Sequence, residues 1–505
     1  MNTIALSMQL IPPPSGRPPE MNLAPRDVAA LADELAAYHA LCAPLFTRAE
    51  QRRGAWCYLQ GQLLDLERKT IEPLALAVAG GDVQAVQPFI SQSTWDAEAV
   101  LLRHQEIVAA TLGDAETGVL IVDGCDVPKQ GPESVGVARQ WCGALGKVAN
   151  CQASVVACYA SQHGYTLVDR RLYLPETWFT PAYAERRARC GVPPGVTFRT
   201  KPQVAGEIVA TLRARAVLPF RYVTGDEGFG ANTVLLDQLD TADLIYLAEV
   251  PHTTRVWRER EDAVTATAGA GPTVVEVGAL AAALPAAAWT RQLIKEGAKG
   301  PLEADIARVR ARATRDGQPG PDVWVVLRRS LDATPAIKAS LSNASADTPL
   351  ATLVWLCGMR WPVETGLMEA KGEVGLDHDE VRGWVGWHHH ITLSFLAHHF
   401  LVRARLHLGE KKPGPDRAAG APAAPSRAAA PAPRHPHGAA PLVLHPAAER
   451  LFVPNPSKRS KFLHGADRPP DPADPQCNKP LRVPGNRTLI LATVWARSKG
   501  DAGPA

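Results

Sequence analysis

The sequence predicts a mixed α/β protein in which a helical region precedes an α/β core, a largely β insertion and a final helical block. Three observations predict this order. Apolar residues recur at helical spacing from about residue 25 to residue 112. Short apolar runs typical of buried strands begin at Gly118 and alternate with helical stretches. Strand-like runs then dominate residues 251–350, before helical periodicity returns.

Composition bounds the class of protein without identifying it. The chain has 505 residues, of which 46% are hydrophobic, and this is ordinary for a soluble globular protein. A formal charge of +3 is too small to indicate nucleic-acid binding by itself. The nine cysteines form no CxxC pair, so neither a zinc site nor a disulfide framework is predicted. With no apolar run near ~20 residues and no secretion signal, we expect a cytoplasmic protein without a membrane span.

The N-terminal part divides into two segments. Residues 1–24 are rich in proline, and we predict them to be disordered. Residues 25–117 are predicted to form an all-helical domain. Its pattern is equally typical of a scaffold or dimerisation bundle and of a domain that binds DNA ends.

The segment 118–250 is predicted to form the core. A short apolar run, Val119 to Val122, ends on Asp123, as expected for a buried strand with a carboxylate at its exit. Further strands are predicted at 151–160, 165–174, 220–224 and 244–248, and helices near 182–188, 203–214 and 231–239. This order is that of a ribonuclease H-like sheet. The first and fourth strands lie side by side in such a sheet, so Asp123 would meet Asp226, which follows the fourth strand.

Three segments complete the predicted organisation. Residues 251–350 are predicted to be a β-rich insertion, with strands at 274–277, 323–327 and 337–342 and a charged helix over 301–316. Residues 351–410 are predicted to form the helical end of the core. Ala, Pro, Gly and Arg dominate residues 411–505, which indicates either a disordered tail or a stretch read out of frame.

Carboxylates at strand ends and on a late helix are the candidates for chemistry. Phosphodiester cleavage needs a metal pair about 4 Å apart, and Mg²⁺ prefers carboxylate and water ligands. Asp123, Asp226 and Glu364 are the three candidates. Arg360, Glu364 and Lys371 fall within roughly 40° on one helix face at about 100° per residue. From the spacing alone, an ordinary surface ion pair is the simpler interpretation.

Three other groups of residues are interpreted as structural. Histidines on the last helix are expected on its surface rather than at a metal (His388, His389, His390, His398 and His399). Trp384 and Trp387 are expected to pack in the core rather than to stack on a base. An acidic cluster before that helix is expected to cap it and to be solvated (Asp377, Asp379 and Glu380).

Two long phrases of the sequence, 134–155 and 369–401, resemble those of bacterial insertion-sequence DDE transposases. The resemblance extends over roughly residues 25–410. Arg360, Glu364 and Lys371 match the family branch in which the third acid lies in an Arg-x3-Glu-x6-Lys pattern. The chain departs from the family at Cys357, where a tyrosine is common, and at Gly124 and Cys125, where an acid and a threonine are common.

The resemblance implies a ribonuclease H-like catalytic core with a β insertion, Mg²⁺ or Mn²⁺ as cofactor, and a homodimer bound to double-stranded DNA. It implies that Asp123, Asp226 and Glu364 are catalytic metal ligands, with Asp123 bridging two ions. Arg360 and Lys371 would contact the DNA backbone near the cut. Weaker candidates for phosphate contact are Lys129, Arg139 and Lys147.

The function implied is that of a transposase that binds the terminal inverted repeats, hydrolyses the DNA at its ends and joins the 3′-hydroxyls to target DNA. Two alternatives remain open. A catalytically inactive relic would bind the ends without cutting them. A ribonuclease H-like nuclease would cut without strand transfer.

Overall fold

The computed structural model describes residues 25–258, 273–297 and 300–410. The expectations for residues 1–24 and for the tail 411–505 lie outside these ranges. Within them, no helix is both long enough and apolar enough to cross a membrane.

Five helices occupy the segment in which helical periodicity predicted them. Their bounds are α1 Pro25–Cys42, α2 Ala49–Leu63, α3 Ile71–Ala77, α4 Val83–Ser91 and α5 Ala97–Leu112. Two aspartates fix where the last two helices begin. Asp82 accepts a hydrogen bond from the amide of Gln84, and Asp96 accepts from the amides of Glu98 and Ala99. Both side chains thus satisfy N-terminal amides that have no partner within the helix.

An α/β region follows, and it contains one strand more than the sequence predicted. Its elements are β1 Val119–Pro128, β2 Ala138–Cys142, β3 Lys147–Ser161, β4 Gly164–Tyr173, α6 Ala184–Arg189, α7 Lys201–Arg215, β5 Tyr222–Gly225, α8 Glu227–Gly230, α9 Thr233–Thr241 and β6 Ile245–Val250. The additional strand, β2, forms a hairpin with β3. Its five residues carry exposed Arg139 and Trp141, so no apolar run marks it in the sequence.

The first strand does not end on Asp123, and that expectation is wrong. β1 pairs with antiparallel β3 along its whole length, from Val119 to Pro128. Its parallel pairing with β5 stops earlier, at Val122 and Gly225. Asp123 therefore lies just past the end of the parallel ladder but within a continuous strand.

The strands of this region are arranged in the order β4-β3-β1-β5-β6. β3 is antiparallel to its neighbours, and β5 is parallel to both β1 and β6. The expectation that the first and fourth predicted strands lie side by side is confirmed. Because the carboxyl ends of parallel strands share one edge, the residues that follow Val122, Gly225 and Ala248 emerge together.

The next segment extends the same sheet. It contains β7 Arg255–Arg258, β8 Thr273–Glu276, α10 Val277–Ala283, β9 Thr290–Gly297, β10 Gly300–Arg315, β11 Gln318–Arg329 and β12 Ile337–Ser342. β12 pairs antiparallel with β6, and β11, β10, β7 and β8 follow outward in that order. The chain therefore builds one large mixed sheet, with helices packed on it.

The charged helix predicted over 301–316 is a strand, β10. Arginine alternates with small apolar residues along it, so Ala311 and Ala313 are buried while Arg312 is exposed. That period of two is typical of a strand. Pairing with β11 on one side and with β9 and β7 on the other overrides the helix propensity of alanine and arginine.

Three helices complete the described chain: α11 Leu350–Gly358, α12 Trp361–Val374 and α13 Trp384–Glu410. α13 packs against α2, α4 and α5 and lies on β4. One hydrophobic cluster accordingly contains Tyr38 and Tyr58 from the N-terminal helices together with Phe395 and Phe400 from α13. The N-terminal helices thus share their core with the last helix.

A buried arginine joins α5, β4 and α13. The side chain of Arg170 on β4 is 0% exposed. Its Nη1 lies 2.5 Å from Glu98 Oε1, and its Nη2 donates to Thr392 Oγ1 at 3.0 Å. A buried guanidinium that loses its carboxylate is strongly destabilising.

We predict that Glu98→Gln lowers the free energy of unfolding by roughly 2–3 kcal/mol, less than for a fully buried pair because Glu98 is half exposed. The matched control is Glu106→Gln on the same helix, whose pair with exposed Arg103 is worth less than about 1 kcal/mol. Urea unfolding of both variants measures the difference. Equal, small losses of unfolding free energy in the two variants would contradict the claim that buried Arg170 needs the Glu98 carboxylate.

Candidate active site

Two aspartates emerge where the parallel ladder ends. Asp123 follows Val122 on β1, and Asp226 follows Gly225 on β5. Asp226 is also the N-cap of α8, where its Oδ1 accepts from the amides of Gly228 at 2.9 Å and Phe229 at 3.3 Å. The cap fixes the position of this carboxylate relative to β1.

Arg360, at the start of α12, connects Asp123 to the third candidate acid. Its Nη1 lies 3.1 Å from Asp123 Oδ2, and its Nη2 lies 3.3 Å from Glu364 Oε1. The side chain of Glu364 is 59% exposed, whereas that of Asp123 is 14% exposed. The structure therefore brings Asp123, Arg360 and Glu364 together through one guanidinium.

The electrostatic environment of Asp123 places Asp226 in the same site. Burial raises the pKa of Asp123, the Arg360 guanidinium opposes that rise, and the charge of Asp226 adds to it. The net result is a raised pKa. A cation close to both aspartates would lower it, because it would favour the charged form.

The donor chemistry of the three carboxylates suits a hard divalent cation. As the side chains stand, however, no three His, Cys, Asp or Glu residues converge on one point within the described parts of the chain. Arg360 bonds both Asp123 and Glu364, so a positive charge already lies between two of the donors. These residues fit a metal once that guanidinium moves.

Lys371 lies on the same side of α12 and reaches β1. Its Nζ donates to the backbone carbonyl of Asp126 at 3.3 Å. The Asp126 carboxylate accepts from the amide of Gly143 at 2.8 Å and lies 3.4 Å from Lys201 Nζ. Asp126 therefore anchors the β2–β3 turn beside the site. Sequence reasoning missed Lys201, which no motif or spacing distinguishes from other lysines.

The weaker basic candidates fall into two groups. Arg139 on β2 and Lys147 on β3 are exposed, on the hairpin whose turn touches Asp126. Lys129 is instead engaged within the fold, because its Nζ pairs with Asp379 Oδ1 at 2.9 Å and both side chains are largely buried. The expectation that Asp379 is solvated is wrong, since Lys129 supplies the charge that lets it be buried.

Glu249 is a carboxylate near this site that sequence reasoning missed. It follows Ala248 on β6, and Ala248 is in register with Gly225 of β5. An acid therefore directly follows the last paired residue of the parallel ladder on each of β1, β5 and β6: Asp123, Asp226 and Glu249. A signal was present, because Glu249 directly follows the apolar run of its strand.

The expected surface position of the α13 histidines is wrong. His389, His390, His398 and His399 are all buried. The N-terminal helices cover α13, and they supply partners such as Tyr58, whose hydroxyl lies 2.7 Å from His390 Nδ1. The expectation that these histidines do not build a metal site stays a prediction.

The two tryptophans of α13 pack as predicted. Trp387 is buried in the main core cluster, and Trp384 is half-buried against it.

The comparison with known families identifies the class of protein to which this fold belongs. The family model described as DDE superfamily endonuclease matches residues 42–301, just over half of the chain. The chain belongs to this family of DDE superfamily endonucleases. The matched stretch contains Asp123 and Asp226, whereas Glu364 lies beyond it. Endonucleases of this superfamily generally use divalent metal ions.

A curated relative is the probable transposase for insertion sequence element IS701 of Microchaete diplosiphon. The two chains are 27% identical over 198 residues, which is 39% of this chain and 48% of the relative. The chain thus spans about half the length of the curated relative it matches.

Buried His104 of α5 gives the fold a predicted acid sensitivity. Burial lowers the pKa of His104 from 6.5 to about 4, although its hydrogen bond to the Leu167 carbonyl opposes the shift. Between these values the unfolded chain binds a proton that the folded chain excludes. Stability is therefore lost as the pH falls through this window.

The free energy of unfolding should fall on acidification from neutral pH to about pH 5, and His104 should account for about 2 kcal/mol of that fall. We predict that His104→Gln removes this contribution, while the glutamine amide can still donate to the Leu167 carbonyl. The control is His252→Gln, because His252 also bonds a backbone carbonyl but lies exposed. Urea midpoints at both pH values provide the measurement. A pH dependence that is the same in both variants would be evidence against this assignment.

Proposed function

We propose that this chain is a DDE transposase that binds the terminal inverted repeats of an insertion sequence, cleaves the DNA ends and joins the 3′-hydroxyls to target DNA. One observation carries the proposal. Asp123 and Asp226 lie directly after the paired residues of two adjacent parallel strands, and Arg360 links Asp123 to Glu364 at the start of a late helix. Family membership and the printed name of the IS701 relative support it.

A ribonuclease H-like core is the finer fold assignment. It is supported by the strand order β4-β3-β1-β5-β6, with antiparallel β3 and parallel β5 and β6. The β-rich segment between β6 and α11 would be the insertion that precedes the last catalytic helix. The helices before β1 would serve DNA-end recognition.

In this proposal Asp123, Asp226 and Glu364 would hold divalent cations, Mg²⁺ or Mn²⁺. Such cations supply activation of the attacking oxygen and stabilisation of the leaving one. Asp226 is held rigidly by the α8 amides, so its carboxylate is positioned in advance. Glu364 is exposed and can turn toward the scissile phosphate.

Basic side chains of the protein would position the DNA. Arg360 and Lys371 lie along one side of α12 beside the acids, where they can contact backbone phosphates near the cut. Arg139 and Lys147 would extend this contact along the β2–β3 hairpin. We infer a structural role for Lys129, whose charge is taken up by Asp379. A homodimer would hold two transposon ends, and the protein would act in the cytoplasm on the nucleoid.

We expect Mg²⁺-dependent nicking of a labelled duplex that carries the element's own ends, and we expect Asp226→Asn to abolish it. Asparagine still caps a helix, so the loss would follow from the missing charge rather than from an unfolded α8. Glu364→Gln should have the same effect. Gel analysis of labelled ends provides the readout, and a supercoiled target reports strand transfer.

The control variant is Glu373→Gln, on the same helix as Glu364. Nine residues separate the two glutamates, so they lie on opposite faces at about 100° per residue. This variant should cut like the wild type. End binding without cutting by the wild type would support an inactive relic, whereas cutting without joining would support a simple nuclease.

The exposed hairpin cations give a prediction about salt. Arg139→Ala and Lys147→Ala should each weaken DNA binding and reduce the slope of log affinity against log salt by about 0.9 per lost phosphate contact. Lys129→Ala should leave that slope unchanged while lowering thermal stability. Fluorescence anisotropy across a salt series measures the slopes. A slope change for Lys129→Ala alone would mean that Lys129 contacts DNA and that Arg139 and Lys147 do not.

A further inference from the structure

Three acids lie in a row where the parallel ladder of β1, β5 and β6 ends. Val122, Gly225 and Ala248 are in register across these strands, and the residue that follows each of them is an acid. Side chains two residues apart on a strand share a face. Ile121 and Leu247 lie in the cluster that also contains the buried side of α12, and Asp123 and Glu249 therefore face that helix.

Glu249 and Arg360 line the same small cavity beside this row. The cavity also contains Thr224, Cys357 and Lys338 in its wall. Two polar atoms of its lining, Arg360 Nε and Thr224 Oγ1, are buried without a hydrogen-bond partner. The cavity lining therefore contains a donor of Arg360 whose hydrogen-bonding capacity is unused.

Two cations of the same cavity wall already hold Glu249. Lys338 Nζ lies 3.1 Å from its Oε2, and Arg328 Nη2 lies 3.9 Å from its Oε1. The carboxylate is therefore fixed and largely buried, but a carboxylate has about four lone-pair sites and accepts more than two donors.

The charge of Glu249 already acts on Arg360. Burial lowers the pKa of Arg360, but surrounding carboxylates outweigh burial and the net pKa is raised. These carboxylates are Asp123, Asp226, Glu364 and Glu249. Glu249 is the one among them that the proposed function does not assign to a metal.

Asp123 would have to serve both as the partner of Arg360 and as a ligand of a divalent cation, and these two roles conflict. Its Oδ2 accepts from Arg360 at 3.1 Å, and a guanidinium in that position repels a divalent cation at the same carboxylate. Arg360 cannot be deprotonated at physiological pH. A cation that binds Asp123 must therefore displace a charged arginine, and a displaced, half-buried charge needs another acceptor.

We propose that Glu249 is the positioning residue that receives the Arg360 guanidinium when Asp123 takes up a divalent cation. This inference rests on the proposed metal-dependent function. Arg360 bonds Asp123 and Glu364 in the unloaded site, and it turns toward Glu249 when the site is loaded. Glu249 thereby couples metal uptake to the placement of an arginine that would contact DNA.

A double-mutant cycle on the full chain tests the coupling, with Mn²⁺ alone as the probe and calorimetric titration as the readout. Glu249→Gln should weaken Mn²⁺ binding about tenfold, or about 1.4 kcal/mol. In an Arg360→Gln background the same change should have less than about a twofold effect, because no guanidinium then needs an acceptor. Arg360→Gln alone should bind Mn²⁺ at least as tightly as the wild type.

Glu227→Gln is the matched control, since Glu227 is an exposed acid that directly follows Asp226. Its effect measures the loss of one nearby negative charge, and we expect it to be equally small in both backgrounds. Thermal melting without metal checks that each variant folds. If Glu249→Gln does not fold, Glu249→Asp keeps the charge with a shorter reach and should show a smaller coupling of the same sign.

Equal losses for Glu249→Gln in both backgrounds would overturn the inference, because Glu249 would then act as a ligand or by its charge alone. No loss in the wild-type background would overturn it as well. If the wild type itself bound no Mn²⁺, the metal-dependent function would fail first, and the inference would fall with it.

Discussion

The parallel ladder between β1 and β5 is the constraint on which the candidate site depends. Four paired residues on each strand, Val119–Val122 and Tyr222–Gly225, set the relative height of the two aspartates that follow them. The remaining parts are arranged around that pairing. α8 begins on Asp226, and α12 begins on the arginine that reaches Asp123. A one-residue slip in this ladder would turn an acid to the opposite face of the sheet.

The order of strands and helices could be predicted because each element carries its own local pattern. Apolar runs marked β1, β3, β5 and β6, and the predicted adjacency of the first and fourth strands is found as β1 beside β5. β10 could not be recognised in the same way. Its alanines and arginines favour a helix locally, and pairing with three other strands decides the outcome. A strand was predicted within β11, but nothing in the composition of either segment shows that the two pair.

The candidate site was predictable to the extent that chemistry and motif coincide. The spacing of Arg360, Glu364 and Lys371 places them on one side of α12, and the structure adds that Arg360 bonds Asp123. Burial was the part that the sequence could not provide. The α13 histidines and Asp379 are polar residues that other segments cover, and only the packing of those segments shows it. Glu249 was overlooked for a different reason: it follows an apolar run visibly, but no motif distinguishes it from other acids.

The packing of α13 against the N-terminal helices has a consequence for synthesis. Tyr58 and His390 are hydrogen-bonded across 332 positions of the chain. At 5–20 residues per second, α2 leaves the ribosome roughly 20–60 s before its partner helix exists. During that interval the apolar faces that α13 covers on the N-terminal helices lack this partner. A product that stops before α13 therefore leaves those faces uncovered.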